Sequence, residues 1–206
     1  LAIGAFSDTV ASVALTSGSI TGGVGVLTST AAFDVQGGTA SAILGGTAGL
    51  TKTGAGTTTL SGANTYTGTT AVNVGQLTLS GGAAIADTSP VTVAGGATLS
   101  VGADETVASL VSGGTISGAG KLTAATYGFT GGTITSNLGA GTLTQTSGST
   151  ALDGTADATT VNINGGTLTL GASDRLANGA ALTVAGGTLA IGAFSDTVAS
   201  VALTSG

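Results

Sequence analysis

The sequence predicts an all-β protein of the parallel β-helix or β-solenoid class, with about ten coils of roughly 19 residues and right-handed winding. Three observations predict it. Gly recurs ahead of short hydroxyl-and-aliphatic segments at intervals of 16 to 21 positions through a chain of 206 residues. Within those segments apolar and polar residues alternate with a period of two, and no 3.6-residue period survives. The first eighteen residues, LAIGAFSDTVASVALTSG, recur without change as 189–206.

Composition agrees with a packed, Gly-punctuated chain. Thirty-nine Gly against a single Pro, Pro90, exclude collagen, and 41% hydrophobic with 6% charged residues does not fit a solvated disordered chain. The length suffices for a sizeable core. With no Cys there is no disulfide or thiolate site, and compartment is not read from cysteine. The net charge of −6 comes from nine acids and three bases, so the clustered Lys and Arg of a nucleic-acid footprint are missing. Lys52, Lys121 and Arg175 read as isolated solvated charges. No apolar run is long enough to span a bilayer, so no membrane insertion by this segment is expected. The sequence opens mid-strand without a charged n-region and is expected to be an internal piece of a longer chain.

The repeat at 189–206 lies 188 positions after its first copy. Residues 1–206 are therefore expected to form a single solenoid segment, with 1–188 one full long repeat and 189–206 the start of the next identical one. A fusion of a segment to its own end would leave the same signature, although tandem arrays commonly carry it. Inside the long repeat the Gly anchors are Gly18, Gly38, Gly56, Gly75, Gly96, Gly114, Gly132, Gly148, Gly166 and Gly187, returning at Gly206. Ten coils are thus expected in one long repeat.

After each anchor comes a strand whose second position is aliphatic, as at Ile20, Leu77, Ile116, Ile134, Leu168 and Leu189. Its first and third positions are hydroxyls, as at Ser19/Thr21, Thr39/Ser41, Thr57/Thr59, Thr115/Ser117, Thr133/Thr135 and Thr167/Thr169. Alternation turns the aliphatic inward and the hydroxyls outward. A second strand, five and three positions ahead of the anchor, carries Val13/Leu15, Phe33/Val35, Val91/Val93, Tyr127/Phe129, Val161/Ile163 and Leu182/Val184. A variable third segment offers one apolar residue in each of four coils (Val10, Ile85, Val107, Leu176) to close the third side, with Asp-containing outer turns. The stretches 51–53 and 142–150 fit this code poorly, and irregular structure is expected there.

Residues 50–79 read LTKTGAGTTTLSGANTYTGTTAVNVGQLTL. This stretch resembles the autotransporter-associated β-strand repeat of Gram-negative passenger regions, similar to LTKTGAGTLTLSGxNTYTGxTTVNxGTLTL, and departs from it mainly at Thr58 and Gln76. The resemblance implies an extracellular passenger at the surface of a Gram-negative bacterium, exported through an outer-membrane barrel of the autotransporter type.

The low charge has a physical reason in a stack. Equivalent side chains lie about 4.8 Å apart, where two like charges repel by roughly 1 kcal/mol in bulk water and more in a poorer dielectric. Ser and Thr ladders avoid that cost and stay hydrated.

No residue is assigned as catalytic, cofactor-binding or metal-ligating. His and Cys are absent, and neither Lys52 nor Lys121 has a nucleophile elbow beside it. Asp104 and Glu105, each read as a solvated turn carboxylate, are adjacent and so face opposite ways in an extended segment. Asp153 and Asp157 flank Gly154 and could share a turn, with a loosely held cation as the weak alternative to solvated carboxylates. The GGxGxD pattern of a calcium roll and the GxxxxGK[ST] pattern of a phosphate loop are missing. Among the six aromatic residues, Phe33, Tyr127 and Phe129 are expected inside, Phe6 and Phe194 in the third segment, and Tyr66 is the candidate for a surface ring.

Three functions compete. The first is a structural segment of a giant surface filament or adhesin, serving adhesion, aggregation or biofilm formation. Its partners would be neighbouring repeats end to end, and surfaces, other cells or other filaments. The second is an ice- or surface-binding Thr-rich solenoid, weakened by breaks expected in the hydroxyl face at Gln76/Thr78, Ala97/Leu99 and Thr188/Ala190. The third is a β-helix enzyme acting on polysaccharide, which would need two carboxylates and a base in one groove. Open strand edges at both ends predict that the isolated segment stacks end to end or depends on capping.

Overall fold

A strand repeated every turn of the chain must pair with its own equivalent one turn later, and in the computed structural model it does so throughout residues 1–204, the part described here. The final expected anchor, Gly206, lies outside the described residues. Every strand pairing is parallel, and no helix occurs among the described residues. One face is an eleven-stranded sheet running from Ala2–Gly4 to Thr188–Ala190. A second runs from Ala14–Leu15 to Ser200–Leu203 and holds twelve strands, one of them, Asn137–Leu138, off the main path. The third face is a sheet only at the start, through Asp8–Val10, Val26–Ser29 and Ile43–Gly45. Further along, the long strands Glu105–Ser112 and Lys121–Phe129 turn a corner and supply part of it.

Stacking places like residues over one another. On the first face Leu77, Leu99, Ile116, Ile134, Leu152 and Leu170 form one inward column in consecutive register. On the second, Phe33, Leu50, Thr70, Val91, Leu110, Tyr127, Leu143, Val161 and Leu182 form another. All but Thr70 belong to one continuous buried hydrophobic cluster. Val107, Ile85 and Leu176 close the third side as expected, with Val10 half-buried at the open end.

The register differs from the Gly anchors in three places. Gly38 pairs with Thr58 and Gly132 with Thr150, each two residues beyond the expected anchor. A slip of two leaves every side chain on its own face, so the core tolerates it, whereas a slip of one would turn the strand inside out. Gln76 pairs with Thr98, which turns Thr98 and Ser100 outward and buries Ala97 and Leu99. The expected break in the hydroxyl face at Ala97/Leu99 is therefore not there. The irregular structure expected at 51–53 and 142–150 is also corrected, because Leu50–Lys52 and Thr142–Gln145 pair in register on both sides. What is unusual there is side-chain chemistry: Lys52 and Gln145 occupy inward positions of a column otherwise held by Leu, Val, Ile, Phe and the single Ser112.

Candidate functional site

Lys52 stands in the inward column between Val35 and Val72. It is fully buried, which overturns its reading as a solvated charge. Period two explains it, since a residue two positions after the inward Leu50 must face the same way. Its Nζ donates to the carbonyls of Gln36 at 3.0 Å, Val74 at 3.3 Å and Gly54. These oxygens come from three successive coils, so one ammonium ties together a corner where the backbone leaves carbonyls unpaired. Burial pushes its pKa down, against the opposing pull of the Asp34 charge.

A second polar device lies on the third side, where regular strands lapse between Gly45 and Glu105 and only scattered backbone bonds, such as those from Thr65 and Thr67 to the Leu44 and Gly46 carbonyls, remain. Asn64 accepts from the Leu44 N–H at 2.8 Å and donates to the Ala84 carbonyl at 2.7 Å. One coil on, the Glu105 carboxylate accepts from the N–H groups of Ala84 and Ile85, both at 3.0 Å. Asn64 and Glu105 thus add side-chain hydrogen bonds, coil to coil, where regular strand pairing is missing. Glu105 is 2% exposed, and its reading as a solvated turn carboxylate is overturned. Burial raises its pKa to about 7 despite the two N–H donors, with the Asp87 charge adding to the rise. Asp104 and Glu105 do face opposite ways: Asp104 stays at the surface and accepts from the Lys121 N–H at 2.8 Å.

Tyr66, the candidate surface ring, is fully buried. Its ring lies 6.2 Å from that of Phe33, and its hydroxyl meets the Thr70 hydroxyl at 2.7 Å, filling an inward position that Thr is too short to fill. Phe33, Tyr127 and Phe129 are buried as expected, and Phe6 and Phe194 are exposed. The Tyr127 hydroxyl accepts from the Ala124 N–H at 2.8 Å and faces the carbonyls of Leu122 and Gly139.

The remaining charges do not converge. Lys121 pairs with Asp157 at 2.7 Å on the surface, and Arg175 donates to the carbonyls of Asp153 and Ser173. Asp157 thus holds Lys121 through its carboxylate, whereas Asp153 meets Arg175 through its backbone carbonyl. Among the described residues no group of three or more His, Cys, Asp or Glu is placed to hold a metal ion. A cavity of about 360 Å³ opens at the first coil, lined by Leu1, Val10, Val13 and Leu15 among others. It is the mouth of the apolar core.

The fold defines a β-solenoid repeat protein whose distinctive polar residues serve the core. The family model described as passenger-associated-transport-repeat matches residues 50–79, so this solenoid carries an autotransporter passenger repeat. Searches of curated proteins and of solved structures return no match. The matched residues include Lys52 and Asn64, which join successive coils through buried polar contacts, and the buried Tyr66. A passenger repeat implies a secreted, surface-exposed protein.

Proposed function

We propose that this chain is a structural segment of a giant surface filament or adhesin on a Gram-negative bacterium, carrying adhesive or aggregating surfaces away from the outer membrane. The observation that supports it is that the matched repeat, 50–79, is built in register into the stack and uses its characteristic side chains for coil-to-coil cohesion. Such a unit extends length. At about 4.8 Å per coil, ten coils reach roughly 50 Å per long repeat. Adhesion, aggregation and biofilm formation are the roles that such reach serves.

Display of the chain on cells, behind a signal peptide and ahead of an autotransporter barrel, tests the reading. External protease should remove it from intact cells, and displaying cells should sediment or bind a surface faster than cells carrying the barrel alone. Efficient display with unchanged settling and attachment would rule out adhesion by this segment.

One observation favours the lattice-binding reading as a second possibility. Ser19, Thr39, Thr59, Thr78, Ser100 and Ser117 stand in consecutive register as an outward hydroxyl column. A regular hydroxyl row on a parallel sheet suits an ordered surface such as ice. Thermal hysteresis at micromolar protein is the expected effect, and equal freezing and melting points would remove this reading.

A further inference from the structure

We propose that the two ends of the stack are complementary halves of one junction, and that each receives another copy of this 188-residue unit, with the eighteen-residue segment as a coil bonded on both faces. The proposal goes beyond the surface role above and does not depend on it.

Residues 1–16 and 189–204 are identical in sequence, yet opposite faces of them are occupied. The first copy bonds the coil that follows it: Ala2 pairs with Thr21, Ala14 with Asp34 and Leu15 with Val35. The second copy bonds the coil that precedes it: Leu189 pairs with Leu168, Val201 with Leu182 and Leu203 with Val184. The same position even uses different groups in the two settings. The Ala11 carbonyl accepts from the Ala31 N–H at 3.0 Å, while its equivalent, Ala199, donates its N–H to the Ala180 carbonyl at 2.9 Å.

Side chains divide in the same way. The Ser7 hydroxyl accepts from the Val26 N–H of the following coil at 3.0 Å. Asp196, the equivalent of Asp8, accepts through Oδ2 from the N–H groups of Arg175 and Leu176 in the preceding coil at 2.8 and 2.9 Å. Asp8 itself has only the neighbouring Thr9 N–H, through Oδ1. None of these contacts competes for an atom with another, so one coil can make both sets at once.

The apolar surface left open is what the missing neighbours would cover. Leu15 is 5% exposed and its equivalent Leu203 is 79% exposed, because only the first has a coil of sequence 19–36 against it. The mouth lined by Leu1, Val10 and Val13 is open where their equivalents Leu189, Val198 and Val201 meet the coil of sequence 167–187. The occupants are thereby named: a coil of sequence 167–187 at the first end and one of sequence 19–36 at the other, both found in a further copy of this unit.

A direct duplication, residues 1–188 followed by 1–206, tests the proposal against the single chain. Small-angle scattering and electron microscopy should show one straight rod twice as long, and its thermal midpoint should lie above that of the single chain. Two rods meeting at variable angles, or an unchanged midpoint, would overturn it. A second arm compares Asp→Ala at the internal junction, the position of Asp196, with Asp8→Ala at the free first coil. The internal change should lower the midpoint by several degrees and the terminal one should not, whereas equal shifts would overturn the assigned contacts.

Discussion

Lys52 and Glu105 hold their charged groups in the stack because each meets backbone groups that the coils cannot pair for themselves. Lys52→Ala would leave the carbonyls of Gln36, Gly54 and Val74 without their donor in a dry corner. The expected loss is about 3 kcal/mol or more. It should appear as a lower urea midpoint at constant slope, and an unshifted midpoint would mean that water takes the ammonium's place. Glu105 makes stability depend on pH. Burial raises its pKa from 4.5 to about 7, so between those values the folded chain keeps a proton that the unfolded chain has released. Its contribution is full below pH 4.5 and is lost as pH rises through about 7, a change of about 3 kcal/mol in all. Glu105→Gln should flatten that slope, and a variant retaining the full pH dependence would assign it elsewhere. Both inward positions were legible in part. Lys52 lies two residues from Leu50 and Glu105 two from Val107, both apolar and core-facing. Residue type argued the other way, because a charge is ordinarily left in water, and only the unpaired carbonyls and N–H groups of neighbouring coils reverse that preference.

At the scale of strands and turns, the two-residue slips leave a trace in the core. Thr58 and Thr150 fall on inward positions next to Leu77 and Leu168, and neither hydroxyl has a hydrogen-bond partner. Thr58→Val removes a buried, unpartnered hydroxyl at nearly constant shape, at a position where the passenger repeat carries Leu. It is expected to stabilise by about 1 to 2 kcal/mol, read as a higher urea midpoint, and a loss of stability would show that the hydroxyl is satisfied after all. The glycines divide as sharply. Gly132 sits at φ +94°, and a Cβ there would come within 1.9 Å of the Gly114 carbonyl, since consecutive coils leave no room at that corner. Gly132→Ala should cost about 3 kcal/mol or more. Gly179, by contrast, lies in an open turn, with nothing within 4 Å of its Cβ position and a φ outside the left-handed region. Gly179→Ala should be neutral or stabilising by up to about 1 kcal/mol. Thermal midpoints of the two variants check the pair, and equal effects would contradict the stacking geometry.

Over the whole molecule, each coil packs chiefly on its two neighbours, with the Lys121–Asp157 pair reaching one coil further, so stability accumulates along the stack and weakens at its ends. The repeated segment permits a comparison within one chain. Leu15→Ala removes a side chain 5% exposed and is expected to cost about 2 to 4 kcal/mol. Leu203→Ala alters the same residue in the same sequence at 79% exposure and should change stability by less than about 0.5 kcal/mol. Matching losses in chemical denaturation would mean that the last coil is already covered in solution.

The period-two alternation and the Gly interval determined by themselves that the chain stacks parallel strands about every nineteen residues, because only that arrangement buries Phe33, Tyr127, Phe129 and the aliphatic columns together. The local pattern also placed the hydroxyls outside. Tertiary structure alone decided the register at Thr58, Thr98 and Thr150, the burial of Tyr66, Lys52 and Glu105, and the side-chain relay through Asn64. Each of these depends on which backbone groups lie one coil above and below, a relation between residues some twenty positions apart that no local pattern encodes.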